Sequence, residues 1–474
     1  MNYPNLYLRI GDTWRARDGK PVINPANETV IGTVPHATRV DLDDALAAAE
    51  QGLRVWSRTA PAERTATILR AVALIRERIE EIATAITLEQ GKPLTQSRLE
   101  ILRGCDILEW DAQEGRRLYG RIIPAAPGMR HTVLRQPIGV VAAFSPWNFP
   151  MSSPARKVGG ALASGCALIL KASEETPAGA YLMVKAFIDA GLPPGVLNLI
   201  FGEPAEISQY LIPQPLVRLV AFTGSIPVGK HLASMASAHM KPSLMELGGH
   251  APVIICADAD PEVAGAAAAL SKSRNAGQVC VSPTRFYVAD AVYDRFCQSF
   301  AERAAAITVG DGMDPASQMG ALANPRRLEV METMVADARA RGARLLTGGQ
   351  RIGNLGLFFP LTVLADVPDD ALAMREEPFG PIALVNRVSS LDEAIEKSNA
   401  LPFGLAGYAF TQSATNADRI SDGMEVGNIS INHFVSSIAE TPMGGVKDSG
   451  FGREGGIEGL QGYTVVKNVS HQML

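Results

Sequence analysis

One cysteine of this chain stands apart from the other four. Cys280 lies in Ser271-Lys-Ser-Arg-Asn-Ala-Gly-Gln-Val-Cys280-Val-Ser-Pro-Thr-Arg285. It follows Asn275-Ala276-Gly277-Gln278, a turn-forming run between an expected helix and an expected strand from Thr284 to Ala289. Loops at strand ends are where α/β proteins carry their chemistry, so Cys280 is the first candidate for a nucleophile. The alternative is a small buried hydrophobe, the usual state of a free cysteine. That second reading suits Cys166 and Cys256, set beside the apolar runs Ala167-Leu-Ile-Leu170 and Pro252-Val-Ile-Ile255. The Asn, Gly, Gln, Ser and Arg around Cys280 make a polar neighbourhood that could stabilise a thiolate and admit a substrate. On these residues alone both readings stay open.

The segment has company. Pro146-Trp-Asn-Phe-Pro150, Phe222-Thr-Gly-Ser225, Glu246-Leu-Gly-Gly249, Gly277-Gln-Val-Cys280 and Glu377-Pro-Phe-Gly-Pro381 follow one another along the chain. In order and approximate spacing this set resembles the NAD(P)-dependent aldehyde dehydrogenase superfamily, from about Asn24 to Lys467. Any one motif of this length arises by chance; five in order make a specific signal.

Aldehyde oxidation of the kind the resemblance implies needs a nucleophile, an oxyanion hole, a hydride acceptor and a base that activates water. Cys280 supplies a thiolate, more nucleophilic at neutral pH than a serine without a base. Asn148 can aim its amide, together with the Cys280 backbone N–H, at a developing oxyanion, worth about 3 kcal/mol per donor. Otherwise it is a turn residue beside proline. Glu246 ends an expected strand, where desolvation can bring a carboxyl into the range of a base near neutral pH. Otherwise it is a strand-end carboxylate.

The cofactor reading rests on a strand-to-helix turn. There is no G-x-G-x-x-G; instead Phe222-Thr-Gly224-Ser225-Ile-Pro227 puts a glycine at close backbone approach and a proline at the start of a helix, where a pyrophosphate can sit. Ile226 and Pro227 stand where the family usually has Thr or Glu, which leaves backbone contacts intact. In the resemblance Trp147 lines the cofactor cleft, Lys171 and Glu174 hold the adenosine ribose, and Glu377 with Phe379 hold the nicotinamide ribose and ring. Without it, Lys171 and Glu377 would be solvated surface charges. Glu174 can accept from a 2′-hydroxyl and would repel a 2′-phosphate, so NAD is expected over NADP, with NADP as the alternative.

Within the superfamily the chain most resembles the succinate-semialdehyde branch, whose substrate carboxylate is held by two arginines and a serine. Arg156, Arg274 and Ser437 match them. Two arginines facing one pocket would repel unless an anion sat between them; the other reading makes either one a scaffold ion-pair partner. Ser273 replaces the Phe usual before that second arginine, which should enlarge or wet the pocket. Ser282 replaces a second cysteine found in some members, removing a redox disulfide with Cys280. CoA-acylating relatives typically lack the glutamate that Glu246 matches, so water is the expected acyl acceptor. A non-catalytic relative would be expected to lose Cys280, Asn148 or Glu246. A cofactor-free cysteine hydrolase lacks a histidine in any motif that would pair it with Cys280.

The elements that must position these residues are legible as period. Between Gly139 and Cys256 continuous apolar runs (Val140–Phe144, Ala167–Leu170, Val196–Ile200, Leu219–Phe222) alternate with helical stretches, which implies a mostly parallel sheet covered on both faces. The alternation resumes near Pro252–Ile255, Arg285–Val288, Ile382–Val385 and Asn428–Asn432. The expected fold class is therefore α/β, with two parallel-sheet domains, a Rossmann-like cofactor domain and a catalytic domain, and a small β arm. Residues 1–118 and 140–246 are assigned to cofactor binding, 247–445 to catalysis, and 119–139 with 446–474 to an oligomerisation arm. Upstream, Asp41 is expected to cap one helix, and Pro61 to open a longer one on which Ile68, Val72, Ile75, Ile79, Ile82 and Ile86 pack while Arg64, Arg70 and Arg76 stay wet. Tyr119 to Gly139 reads as a hairpin too small to stand alone, with Gly462–Asn468 as its neighbour. In the resemblance these segments bridge subunits, so a homodimer or homotetramer is expected.

Bulk properties agree. With 474 residues, 47% apolar, 20% charged and net charge −5, the chain reads as an ordinary multi-domain globular protein. No basic stretch implies a nucleic-acid face, and no continuous apolar run approaches a membrane span. The N-terminus lacks a charged and apolar leader, so a cytoplasmic protein is expected. Five cysteines without C-x-x-C and seven histidines without metal-type spacing argue against a disulfide framework and against a metal.

Overall fold

Fully buried apolar strands set the frame. In the computed structural model, which describes residues 3–473, Val140–Phe144, Ala167–Lys171 and Leu197–Ile200 are strands in which every residue is buried. Met1, Asn2 and Leu474, at the ends of the ranges assigned above, lie outside the described residues. Strands buried on both faces require helices on each side, the condition under which parallel sheets occur.

The first sheet has eight strands, in the order Thr13–Arg15, Leu8–Ile10, Leu197–Ile200, Ala167–Lys171, Val140–Phe144, Val217–Gly224, Ser243–Leu247 and Gly450–Phe451. Its five central strands are parallel, and both edges are antiparallel. Chain order reverses between Val140–Phe144 and Val217–Gly224, a switch point that opens a crevice beyond the carboxyl ends. The second sheet has seven strands: Arg344–Thr347, Thr362–Ala365, Ile382–Val388, Arg285–Ala289, Pro252–Ile255, Ala406–Phe410 and Asn428–Ile431, parallel but for the first pair. Each sheet has its own apolar core. The candidate residues fall between them. Asn148 follows Phe144 at a carboxyl end of the first sheet, while Cys280 and Glu377 precede Arg285 and Ile382 at amino ends of the second.

The hairpin and its C-terminal neighbour are present. Thr464–Gln472 pairs antiparallel with Met129–Pro137 over nine residues, and Arg121–Ile123 pairs on the other side. Residues 446–463, placed in the arm above, instead supply Gly450–Phe451 to the first sheet and the helix Gly456–Gln461 against Leu94–Glu114 and Ser152–Ser164.

Three local expectations are corrected. Thr38, not Asp41, is the N-cap of Arg39–Trp56; Asp41 closes the reciprocal capping box from the third position of the helix. The long helix from Pro61 is two helices, Pro61–Glu77 and Ile79–Gln90, because Arg78 leaves helical geometry at φ −97° and ψ 17°. The isoleucine stripe runs across that break, since both pieces pack on one core. Arg64 is buried rather than wet, donating to the carbonyl of Thr59 at 2.8 Å. The short strands Thr362–Ala365 and Ala406–Phe410 carry no alternation because the sheet buries both their faces.

Candidate active site

A cavity of about 630 Å³ opens between the two sheets and brings together Asn148, Glu246, Cys280, Arg156, Arg274 and Ser437. These residues come from regions of the chain up to 289 positions apart, 437 less 148, so the grouping is a product of the fold.

The turn before Cys280 holds three successive residues in the left-handed region, Asn275 at φ 50°, Ala276 at 51° and Gly277 at 69°. Such backbone costs roughly 1–2 kcal/mol at each non-glycine position and persists only where neighbours enforce it. Here they do. The Asn275 N–H donates to Gln96 Oε1 at 2.7 Å, its side-chain amide donates to the carbonyls of Asn148 at 2.9 Å and Gln278 at 3.2 Å, and Gln278 Nε2 donates back to the Asn275 carbonyl at 3.0 Å. A Cβ on Gly277 would lie 2.2 Å from the Gly380 carbonyl oxygen, which excludes any larger residue.

Asn148 is tied to the same turn. Its Nδ2 donates to the Gln278 carbonyl at 3.0 Å, leaving its second N–H for a ligand in the cavity. Its carbonyl accepts from Lys92 Nζ at 2.7 Å, and Lys92 is paired with Glu100 at 2.6 Å, both fully buried. The other oxygen of Glu100 accepts the N–H groups of Met151 and Ser152 at 2.9 and 3.1 Å, closing the start of the helix Ser152–Ser164. Lys92 and Glu100 were not among the expected site residues. A lysine and a glutamate eight positions apart in polar sequence give no sign that they are buried together.

Glu246 is buried in Ser243–Leu247 with neither carboxylate oxygen hydrogen-bonded. Burial, and next the neighbouring Glu454, push its pKa well above the ordinary value, against the pull of Lys157. Lys157 is spent elsewhere, holding Glu454 at 2.7 Å and Thr223 Oγ1 at 2.6 Å. An unpaired buried carboxylate is costly in free energy, and its environment favours taking up a proton.

Cys280 alone of the five cysteines lines this cavity; all five are free. Burial, and then the carboxylates of Glu377 and Glu246, push its thiol up to about 12, with Arg156 opposing. Against the expected stabilisation by polar neighbours, Asn275 and Gln278 spend their side-chain amides on the turn and on the backbone of Asn148 and Ala323, and Glu377 and Glu246 both act against a thiolate.

The residues assigned to the cofactor do not line this cavity. The helix Ile226–Ala238 has Ser225 as N-cap with no side-chain hydrogen bond, so its first N–H groups are unfilled. Gly224 ends the strand before it. Lys171, buried at its strand end, pairs with Glu174, so it is no free surface charge. Glu377 accepts the Gly249 N–H at 3.1 Å, and burial lifts it to about 8; a Cβ on Gly248 would come within 2.3 Å of it. Phe379, at φ 46°, sets its ring edge-on to Trp147, with centroids 5.4 Å apart. Open helix N–H groups suit a pyrophosphate and a cation–carboxylate pair suits ribose hydroxyls, so these residues fit a dinucleotide.

Arg156 donates to Ser437 Oγ at 3.4 Å and keeps Nη1 buried without a partner. Arg274 lies over Phe149, its guanidinium carbon 5.5 Å from the ring centroid. Neither arginine meets a carboxylate within ion-pair distance among the described residues. Ser273 does not enlarge the pocket as expected; it is buried and turned into its own helix, donating to the Leu270 carbonyl at 2.9 Å. Ser282 is buried with its hydroxyl unpartnered.

Fold and motifs agree with sequence comparison: the chain belongs to the aldehyde dehydrogenase family, which matches residues 14–469. It is an oxidoreductase acting on aldehydes, in a family that uses NAD or NADP. It is 46% identical, over 97% of each chain, to a putative 4-(hydroxymethyl)benzenesulfonate dehydrogenase of Comamonas testosteroni. It is 40% identical to the mitochondrial succinate-semialdehyde dehydrogenase of Arabidopsis thaliana, covering 97% of this chain and 88% of that one. The crystal structure of succinate-semialdehyde dehydrogenase from Burkholderia pseudomallei superposes with a TM-score of 0.96 at 38% identity, over 98% of both chains. No helix among the described residues is long and apolar enough to cross a membrane.

Proposed function

We propose that this protein uses NAD to oxidise an aldehyde that carries an acid group at its far end, succinate semialdehyde being the reference compound. The observation that carries the reading is the arginine pair: Arg156 and Arg274 share the cavity with Cys280, have no carboxylate partner among the described residues, and are flanked by Ser437. Unpaired buried cations are costly, and an anion between two guanidinium forks relieves them.

In this reading the Cys280 sulfur attacks the aldehyde carbon, and the carbonyl oxygen becomes an oxyanion held by the free Asn148 N–H and the Cys280 backbone N–H. The nicotinamide, when bound, supplies the hydride acceptor that turns this adduct into a thioester. Glu246 then takes a proton from water as the water oxygen attacks the thioester carbon, and the acid leaves as the sulfur departs. Lys92 and Glu100 keep Asn148 on the Cys280 turn. Lys171 with Glu174 holds the adenosine ribose, Gly224 and Ser225 admit the pyrophosphate to the helix start, and Trp147, Glu377 and Phe379 hold the nicotinamide half. The Glu174 carboxylate favours NAD over NADP. Exposed Ile122 and Val466 on the three-stranded sheet support assembly as a homodimer or homotetramer, which sedimentation at micromolar concentration tests.

The deciding experiment compares succinate semialdehyde with butanal in the parent and in Arg156→Ala and Arg274→Ala. Each substitution should lower kcat/KM selectively for the acid substrate, by about 1.5–3 kcal/mol. Equal losses on both aldehydes, or a parent that prefers butanal, would remove the acid clamp.

A further inference from the structure

The two expected arginines are not alone in the cavity. The helix Leu94–Glu114 forms one wall, and Arg103, Ile107 and Trp110, spaced four and three apart, share the face that lines it. Arg103 makes no ion pair among the described residues. The acids on its own helix that could neutralise it are engaged by another residue: Arg76 holds Glu109 at 2.5 Å and Asp106 at 3.3 Å. On the same face the Trp110 indole N–H is buried without an acceptor. Arg103, which keeps one side open to solvent, is lowered in basicity by the desolvation of its inner part and then by Arg156, and Arg274 is lowered to about 10 by burial and then by Arg103.

Three unpaired guanidinium groups thus reach one space from three elements. A carboxylate has two oxygens in one plane, and Arg156, Arg274 and Ser437 already suffice for it. Resting on the acid-clamp reading, we propose that Arg103 is a third arm of that clamp, and that the cavity selects an aldehyde whose far acid is a sulfonate. A sulfonate directs three oxygens along three tetrahedral directions, one toward each wall. It carries one negative charge, which matters because Glu440, with no ion pair among the described residues, lines the same cavity and penalises a second. This separates a sulfonate from a phosphonate of the same shape.

The test compares kcat/KM for 3-sulfopropanal, succinate semialdehyde and 3-phosphonopropanal, matched in length, with butanal as the uncharged control, in the full chain with NAD. The parent should favour the sulfonate over the carboxylate by about tenfold or more, and Arg103→Gln should erase that ratio, mainly through KM. Arg103→Lys, which keeps charge without the planar fork, should fall between. A ratio unmoved by Arg103→Gln, or a parent that favours the carboxylate or the phosphonate, overturns the proposal. If Arg103→Gln does not fold, inhibition of the parent decides: 3-sulfopropanoate should bind about tenfold or more tighter than succinate, and equal binding overturns it. Failure of the underlying reading looks different, since all three acids would then be no better than butanal.

Discussion

Two buried lysine–glutamate pairs and the groups lining the cavity handle charge in opposite ways. Lys92 with Glu100 and Lys157 with Glu454 are buried, paired, and hydrogen-bonded further to Asn148, Met151, Ser152 and Thr223. A short distance away Glu246 has no partner on either oxygen, and Arg156 and Arg274 have no carboxylate within ion-pair distance among the described residues. Burial alone therefore does not mark a functional group in this molecule. The paired charges fix backbone, and the unpaired ones carry free energy that only a ligand, a proton or a reaction step can relieve.

The comparison breaks most sharply at the nucleophile. Cys280→Ala should lower NAD reduction by about four orders of magnitude or more, as loss of a covalent nucleophile does, while NAD binding measured by calorimetry should stay near the parent value, because the proposed cofactor residues do not line the Cys280 cavity. Substantial residual turnover would end the covalent mechanism. Next in size is the scaffold. Lys92→Met leaves Glu100 buried without its cation and should cost about 3–5 kcal/mol in urea unfolding; a loss near zero would show that the pair is not what holds Asn148 in place. The smallest effect is the most specific. Glu246 is one of the charges that raise the Cys280 thiol, so Glu246→Gln should shift the pH profile of Cys280 alkylation by iodoacetamide toward lower pH. The sign follows because an anion opposes forming a thiolate and a neutral amide does not. An upward shift would mean that Glu246 activates the thiol rather than repelling its charge.

What was legible beforehand shows where the site's information lies. The Cys280 turn could be placed because Asn275, Gly277 and Gln278 are local signals of a turn, and the strands Val140–Phe144 and Pro252–Ile255 because a continuous apolar run in a parallel sheet needs no partner to be recognised. Arg64, by contrast, occurs at a helical position indistinguishable from that of Arg70, and its burial follows from the Thr59 carbonyl and the core beside it. The break at Arg78 was hidden because the isoleucine stripe continues in period across it.

The sequence by itself determined the family, the two α/β units and the types of residue available for aldehyde chemistry, because each depends on short patterns that survive without neighbours. The tertiary structure decided which charges are spent and which are left over. Lys157 and Glu454 are 297 positions apart, and Arg103 meets Arg156 and Arg274 only across a cavity. Electrostatic energy depends on distance and dielectric, neither of which is written along the chain. The same Lys, Glu and Arg letters therefore become scaffold in one place and candidate chemistry in another only once the two sheets face each other.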